Sequence, residues 1–307
     1  MKKFIILLLF PVALLAQEIT SEELDLKNGE IVLPGTLSYP KGEKKMPLII
    51  FVHGSGNVDR NGNQAGVNVK AGYIKSLSEE LNKQKIAFYR YDKRTATPAN
   101  IKKNSNIFLT DFVADAQVAI NHFKTDKRFK KIYVIGHSQG SLVAMLALTK
   151  DIDGYISLAG PGESIDKTII RQVSAQSPEF GEIAKKHFDE LNQTDTIQKV
   201  NPFLISIFHP NNQKFFKSWA MIDPLKEIKK IEIPILIING DADLQVTVQD
   251  AEKLQSANSN AKLHIVPKMN HVLKEVNSPT ENQQSYRDPN FPLSDKLIQL
   301  ITDFVKK

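Results

Sequence analysis

The segment Ile132-Tyr133-Val134-Ile135-Gly136-His137-Ser138-Gln139-Gly140-Ser141-Leu142 decides how the rest of the chain is interpreted. Its first four residues are apolar and mostly β-branched, which favours a buried strand. Gly136 and Gly140 flank Ser138, and good helix formers follow from Leu142 to Leu148. The pattern predicts a strand, a sharp turn with Ser138 at its apex, and a helix. A serine at this position exposes its hydroxyl above a sheet, at the positive N-terminal end of the helix.

The two glycines belong to the same prediction, because a strained turn packed against its neighbours leaves no space for a Cβ. A Gly-x-Ser-x-Gly pentapeptide between a predicted strand and a predicted helix resembles the nucleophile elbow of the α/β-hydrolase family. The resemblance implies an α/β fold with a mostly parallel central sheet and helices on both faces. It also implies a serine hydrolase in which Ser138 is the nucleophile.

A second stretch carries the same resemblance. Leu48–Val52 is a continuous apolar run, as expected of a strand buried on both faces, and His53-Gly54-Ser55-Gly56 follows it. Small residues allow a backbone N–H to approach a developing oxyanion closely. In α/β hydrolases this loop supplies half of the oxyanion hole, which implies the backbone N–H groups of Ser55 and Gln139 as the two donors. His53 stands at a strand end and is expected to be structural.

The acid of the site is expected after the predicted strand Ile233–Ile238, in the sequence Asn239-Gly240-Asp241-Ala242-Asp243. Members of the α/β-hydrolase family carry Gly-x-x-Asp here with the triad acid last, so the resemblance selects Asp243. Asp241 is the rival, and it is expected to bond the backbone of its own loop.

Of the seven histidines, His271 alone lies in a loop after a late predicted strand, Lys262–Val266. Ser138, Asp243 and His271 then follow the chain order Ser, Asp, His that the resemblance implies. In that scheme His271 takes the proton of Ser138, and Asp243 orients the imidazole. No metal and no organic cofactor are implied.

One stretch departs from the family pattern. Many α/β hydrolases show Asp-x-Arg-Gly-x-Gly-x-Ser after the strand predicted here at Ile86–Tyr91, but this chain has Asp92-Lys93-Arg94-Thr95-Ala96-Thr97. The glycines are missing, so the role of this loop stays open.

Length and composition set the organisation of the chain. Its 307 residues are 41% apolar and 24% charged, which suits a folded protein with one large core. Since there is no cysteine, a disulfide framework, a thiolate metal site and a cysteine nucleophile are excluded. Residues 17–161 and 224–307 are predicted to form the two parts of a hydrolase core. Residues 162–223 between them are polar, and their pattern predicts two or three short helices. They resemble a cap insertion whose aromatic residues either line a pocket or pack onto the core.

The N-terminus has the pattern of a secretory signal peptide over residues 1–16: a basic start, an apolar run from Phe4 to Leu15, then Ala16. The expected location is therefore secreted or periplasmic. The run is shorter than the 20 or so residues of a bilayer-spanning helix, so no stable span is expected after cleavage, and an uncleaved anchor is the competing interpretation. The net charge of +6 is scattered among acidic residues, which argues against a nucleic-acid partner.

Three hypotheses follow. The first is a secreted hydrolase that cleaves a carboxylic ester of a small molecule through an acyl-enzyme intermediate. The second is an amide or peptide hydrolase similar to the serine aminopeptidases of the family. The third is a non-catalytic binding protein on the same fold. The motifs serve ester and amide cleavage alike, so the ester and amide hypotheses both remain open at this stage. The oligomeric state also remains open.

Overall fold

A central sheet organises the computed structural model, which describes residues 17–103 and 106–307. The predicted signal peptide, residues 1–16, lies outside the described residues. Within them, the sheet has eight strands in the order β1-β4-β8-β5-β9-β10-β11-β12, and β2-β3 and β6-β7 form two small ribbons. The strands are β1 (Ile19–Glu23), β2 (Leu26–Asn28), β3 (Ile31–Leu33), β4 (Gly35–Pro40), β5 (Met46–Val52), β6 (Asn63–Gln64), β7 (Val69–Lys70), β8 (Ala87–Tyr91), β9 (Phe129–His137), β10 (Gly154–Leu158), β11 (Ile235–Gly240) and β12 (Lys262–Val266).

Six neighbouring strands, β8, β5, β9, β10, β11 and β12, run parallel to one another. At the β8 side of the sheet, β4 and β1 add an antiparallel edge. Their ends are level: Val52 is paired with Gly136, and Leu158 with both His137 and Ile238. Because parallel strands end at one edge of a sheet, the segments after β5, β9, β11 and β12 all begin at that edge. This edge is where the sequence predicts the site.

Helices cover both faces of the sheet. The helices are α1 (Tyr73–Lys83), α2 (Pro98–Ile101), α3 (Leu109–Phe123), α4 (Gln139–Ala147), α5 (Ile165–Gln176), α6 (Pro178–Thr194), α7 (Ile205–Phe208), α8 (Pro210–Ala220), α9 (Pro224–Ile228), α10 (Val248–Ala257), α11 (Pro279–Ser285) and α12 (Asp295–Val305). Buried side chains of α1 and α12 form one apolar cluster, and those of α3, α4 and α10 form the other. Strand β5 contributes alternate residues to the two clusters, as the period of two in a strand requires.

The local signals explain most element bounds. In helix α1 the apolar residues Ile74, Leu77 and Leu81 recur at helical spacing, and all three are buried. The Asn28-Gly29 signal gives the β2-β3 hairpin, where Gly29 has a φ of 58°. The polar, glycine-containing stretch from Asn61 to Ala71 forms the β6-β7 ribbon, whose two-residue strands are too short for any periodicity to show in the sequence.

Residues 162–223, between β10 and β11, contain α5 to α8 and no strand. We expected two or three short helices here, whereas α6 alone has 17 residues. Phe188 of α6 packs edge-on against Phe208 with ring centroids 5.0 Å apart, and both join the apolar cluster of α3 and α4. Across residues 17–103 and 106–307, no helix has both the length and the apolar character that crossing a membrane demands.

Candidate active site

Ser138 lies at the apex of the turn between β9 and α4, with φ 54° and ψ −125°. These angles lie in a left-handed region that residues with a side chain rarely adopt. A Cβ at Gly136 would lie 2.6 Å from Ser141 Cα, and one at Gly140 would lie 2.7 Å from the carbonyl carbon of Val52. Both glycines are therefore required by close packing, as the sequence predicts.

Asp243 and His271 are joined by a hydrogen bond of 2.7 Å between Oδ2 and Nδ1, and both side chains are buried. The other carboxylate oxygen, Oδ1, accepts backbone N–H groups from Gln245 at 2.7 Å and Val246 at 3.0 Å. These two donors fix the carboxylate, so the remaining oxygen faces the imidazole. The pairing assigns the imidazole proton to Nδ1 and leaves Nε2 as the acceptor.

Asp241, the rival acid, has another role. Its Oδ1 accepts the backbone N–H of Lys268 at 2.6 Å, so it braces the loop after β12. The expectation that Asp241 bonds the backbone of its own loop was wrong, because the loop after the neighbouring strand passes within reach. The carboxylate that does cap its own loop is that of Asp243.

His137, directly before Ser138, connects the elbow to the loop that carries His271. Sequence reasoning missed this role. Its Nε2 donates to the backbone carbonyl of His271 at 2.8 Å, and its Nδ1 lies 3.2 Å from the hydroxyl of Tyr73. Burial lowers the pKa of His137 to about 3, with the nearby His271 as a second cause, so the ring stays neutral and keeps this pattern near pH 7. The only signal for this role in the sequence was its place within the elbow motif.

Ser138 and His271 line the same cavity, whose volume is about 1410 Å³. Within the described residues, Ser138 Oγ makes no hydrogen bond, so the hydroxyl is open to the cavity. Contacts between a nucleophile and its base are often long before substrate binds. The structure therefore brings Asp243 and His271 into direct contact and places Ser138 on the same cavity wall.

Ser55 and Gln139 also line this cavity. A Cβ at Gly54 would lie 3.1 Å from Ser138 Cβ, which shows how closely the loop after β5 approaches the elbow. Gln139 is the first residue of α4, so its N–H has no acceptor within the helix. In the part of the chain that the structure describes, neither the Ser55 nor the Gln139 backbone N–H is used in a hydrogen bond.

His53 lies behind this loop. Its ring is buried, packs edge-on against Tyr91 at 4.7 Å, and is not among the described residues that line the cavity. Burial foremost, and then the nearby charge of Lys93, lower its pKa to about 3. This placement agrees with the expected structural role.

The loop after β8, whose role the sequence left open, is held by charged contacts. Asp92 pairs with Arg60 at 3.0 Å, and Arg94 pairs with Asp115 at 2.7 Å. Lys93 between them is buried, and its ammonium donates to Gly54 O and to Gln139 Oε1. Sequence reasoning missed Lys93, and its only signal was its position just past the end of a strand that lies next to β5.

The cavity wall is apolar and amide-rich. Among the described residues that line it there is no aspartate and no glutamate, and the lysine present is Lys93. Several aromatic side chains face it while packing on the core, so both roles considered for the 162–223 aromatics occur together. The aromatic members of the wall other than histidine and tyrosine are Phe112, Phe180, Phe203, Phe215, Phe216 and Trp219.

Comparison with known proteins gives the family. The BD-FAE family model matches residues 37–257, which include Ser138 and Asp243. The chain belongs to the BD-FAE family. The curated Esterase EstD of Thermotoga maritima is 29% identical to this BD-FAE chain over 250 residues, which is 78% of the chain. The chain spans 58% of the length of that relative.

Solved structures that resemble this BD-FAE chain share its fold. Est1E from Butyrivibrio proteoclasticus has a TM-score of 0.56 and 20% identity, covering 92% of this chain and 96% of its own. The Pyrococcus furiosus esterase Pf2001 has a TM-score of 0.56 and 17% identity, covering 94% and 90%. The Pyrococcus horikoshii acylaminoacyl peptidase has a TM-score of 0.56 and 14% identity, covering 95% and 42%. The predicted α/β-hydrolase fold is confirmed.

Proposed function

We propose that the protein is a serine hydrolase that cleaves carboxylic esters through an acyl-enzyme intermediate. The observation that carries the proposal is the buried Asp243–His271 hydrogen bond at the same cavity wall as the elbow of Ser138. The name of the similar Esterase EstD supports ester chemistry. The three residues come from loops after β9, β11 and β12, and level strand ends are what bring such loops together.

The proposed reaction uses each group for one task. Ser138 Oγ attacks the acyl carbon while His271 Nε2 takes its proton, and the imidazolium then protonates the departing alkoxide as the ester C–O bond breaks. Water repeats the sequence and releases the acid. Asp243 holds the imidazole and stabilises its cationic form. The N–H groups of Ser55 and Gln139 bind the oxyanion, each contributing about 3–4 kcal/mol.

The cavity favours an ester over the substrate of an aminopeptidase. A free α-ammonium group brought into an apolar cavity needs a carboxylate partner, and none is present among the described lining residues. Val67, Ile101 and Phe203 are 56%, 50% and 78% exposed and also line the cavity, so its wall extends apolar side chains towards solvent. An uncharged ester with an apolar acyl group matches both features.

A panel of p-nitrophenyl esters of increasing chain length, set against aminoacyl p-nitroanilides, tests the proposal. We expect ester cleavage only, with Ser138→Ala lowering kcat/KM by about 10⁴-fold or more. Ser76→Ala is a matched control, because Ser76 is a half-buried serine on α1 that does not line the cavity, and α1 packs on the face of the sheet opposite to α4. Preference for the anilides would favour the amide hypothesis.

A fluorophosphonate probe tests the hypothesis of a non-catalytic binding protein. We expect covalent labelling of the wild-type protein and of Ser76→Ala, and none of Ser138→Ala, because the probe needs an activated serine. Failure of the probe to label the wild-type protein, together with no turnover of any ester, would favour the binding protein.

We also propose that residues 1–16 direct export, so that the mature protein is secreted or periplasmic, and that residues 162–223 form a cap over the site. Cell fractionation of the full chain and of a form lacking residues 2–16 tests the first point, with export expected only for the full chain.

For the cap, Phe215→Ala is expected to change the preferred ester chain length, since Phe215 lines the cavity.

A further inference from the structure

Lys93 is a buried cation next to the proposed oxyanion site. Its side chain is 5% exposed, and its ammonium donates to Gly54 O at 2.7 Å and to Gln139 Oε1 at 2.6 Å. The same nitrogen lies 4.2 Å from the centroid of the Phe112 ring. Two oxygen acceptors and one aromatic face match the three N–H bonds of an ammonium group.

The two acceptors belong to the two segments that supply the oxyanion donors. The Gly54 carbonyl is part of the same planar peptide group as the Ser55 N–H, so fixing the direction of one fixes the direction of the other. A hydrogen bond to that carbonyl also polarises the peptide and makes its N–H a stronger donor. The other acceptor is the side chain of Gln139, whose backbone N–H is the second donor.

No carboxylate contacts the Lys93 ammonium in the described residues. Its neighbour Arg94 takes both nearby acids, with Asp115 at 2.7 Å and Asp111 at 3.0 Å. Lys93 therefore does not serve as an ion-pair partner. Burial lowers its pKa to about 7, so near neutral pH the group is divided between the ammonium and the amine, and both forms have N–H groups to donate to the two oxygens. A buried lysine without a carboxylate partner whose nitrogen is spent on two backbone and side-chain oxygens at one site is unusual for a group with a packing role alone.

We propose that Lys93 is a positioning residue for the oxyanion site, where it holds the Gly54–Ser55 peptide and the first residue of α4 at a fixed separation. This inference rests on the proposed function. The nitrogen of Lys93 is directed to Gly54 O and Gln139 Oε1, so Lys93 acts through the direction of the Ser55 N–H. Its influence is expected to appear when the oxyanion forms and not when the ester binds.

Lys93→Met tests this role, because it removes the three N–H donors and keeps the apolar stem. With p-nitrophenyl acetate we expect kcat to fall by about 10²-fold, as on loss of an oxyanion donor, while KM changes by less than about threefold. A trifluoromethyl ketone, which forms a tetrahedral oxyanion on the serine, should bind more weakly by a similar factor. Lost thermal stability with kcat unchanged would show a packing role only and overturn the proposal.

Lys274→Met is the matched control. Lys274 is 0% exposed and donates to two backbone carbonyls, Pro289 O at 3.1 Å and Phe291 O at 2.6 Å, but it does not line the cavity. We expect its loss to reduce stability and to leave kcat within about threefold of the wild-type value. An equal fall in kcat for both lysine variants would contradict a specific role for Lys93.

A second variant covers the case in which Lys93→Met does not fold. Gln139→Leu removes one acceptor and keeps the backbone N–H, so kcat should fall by about tenfold with KM unchanged. Ser138→Ala, assayed beside them, distinguishes a failure of the proposed function from a failure of the role proposed for Lys93. Its full activity would reject the proposed function. Its inactivity, combined with unchanged kcat in Lys93→Met or Gln139→Leu, would overturn the role of Lys93 alone.

Discussion

Asp243→Asn changes the tautomer of the His271 imidazole and leaves the shape of the site unchanged. The Oδ1 of Asp243 accepts two backbone N–H groups, from Gln245 at 2.7 Å and Val246 at 3.0 Å. An asparagine must keep its oxygen there, so its NH₂ group faces Nδ1 of His271 in place of Oδ2. The imidazole then has to accept at Nδ1 and carry its proton on Nε2, which removes the base from Ser138. The shape of the site is unchanged while the wrong tautomer is imposed.

The expected fall in kcat is about 10⁴-fold, which corresponds to about 5 kcal/mol of transition-state stabilisation. The assay is steady-state cleavage of p-nitrophenyl acetate at pH 7, with thermal unfolding as a check on folding. Asp241→Asn is the matched control two residues earlier, where the carboxylate contacts Lys268 and no catalytic group. Its kcat should stay within about threefold of the wild-type value. A loss in Asp241→Asn with activity retained in Asp243→Asn would refute the assignment.

Three further predictions concern the packing and charges around the site. Gly140→Ala places a Cβ 2.7 Å from a backbone carbon where contact needs about 3.5 Å, so a shift of about 1 Å should lower kcat about 10²-fold, measured beside thermal unfolding. The pKa values of His53 and His137 lie near 3, well below about 6.5 in the unfolded chain, so the unfolded chain binds up to two more protons as pH falls from 6.5 towards 3. The free energy of unfolding should then drop by about 2.7 kcal/mol per pH unit in urea titrations, and a slope unchanged in His53→Gln would contradict this origin. Asp115→Ala leaves the buried Arg94 without its bidentate partner and should cost about 3–5 kcal/mol of stability, whereas a loss below about 1 kcal/mol would mean the pair is dispensable.

The parts of the fold that follow from local patterns were predictable. Apolar runs indicated β5, β9 and β11, and the Gly-x-Ser-x-Gly pattern indicated the turn into α4. The positions of Ser138, Asp243 and His271 in the fold were predictable because each residue follows a strand of one parallel sheet. Their placement at a common edge needs only strand order and direction, which apolar runs and the resemblance to α/β hydrolases together indicate.

The contacts between distant side chains and backbone were not predictable from local patterns. The acceptors of Lys93 lie 39 and 46 residues away, and the partner of His137 lies 134 residues away. A lysine in a basic loop is usually solvated, so nothing near Lys93 in the sequence signals its burial. The role of Asp241 was wrong for the same reason, since its partner, Lys268, comes from the loop after the next strand.

The backbone of Ser138 has a consequence for engineering. Its φ of 54° and ψ of −125° suit glycine and cost a serine about 1–3 kcal/mol. Ser138→Gly would relax this angle and remove the proposed nucleophile in one step, and the variant is expected to resist heat better and to lose the proposed ester hydrolysis. Directed evolution that rewards melting temperature alone would drift towards that inert variant, so every round of selection for robustness must also select for turnover.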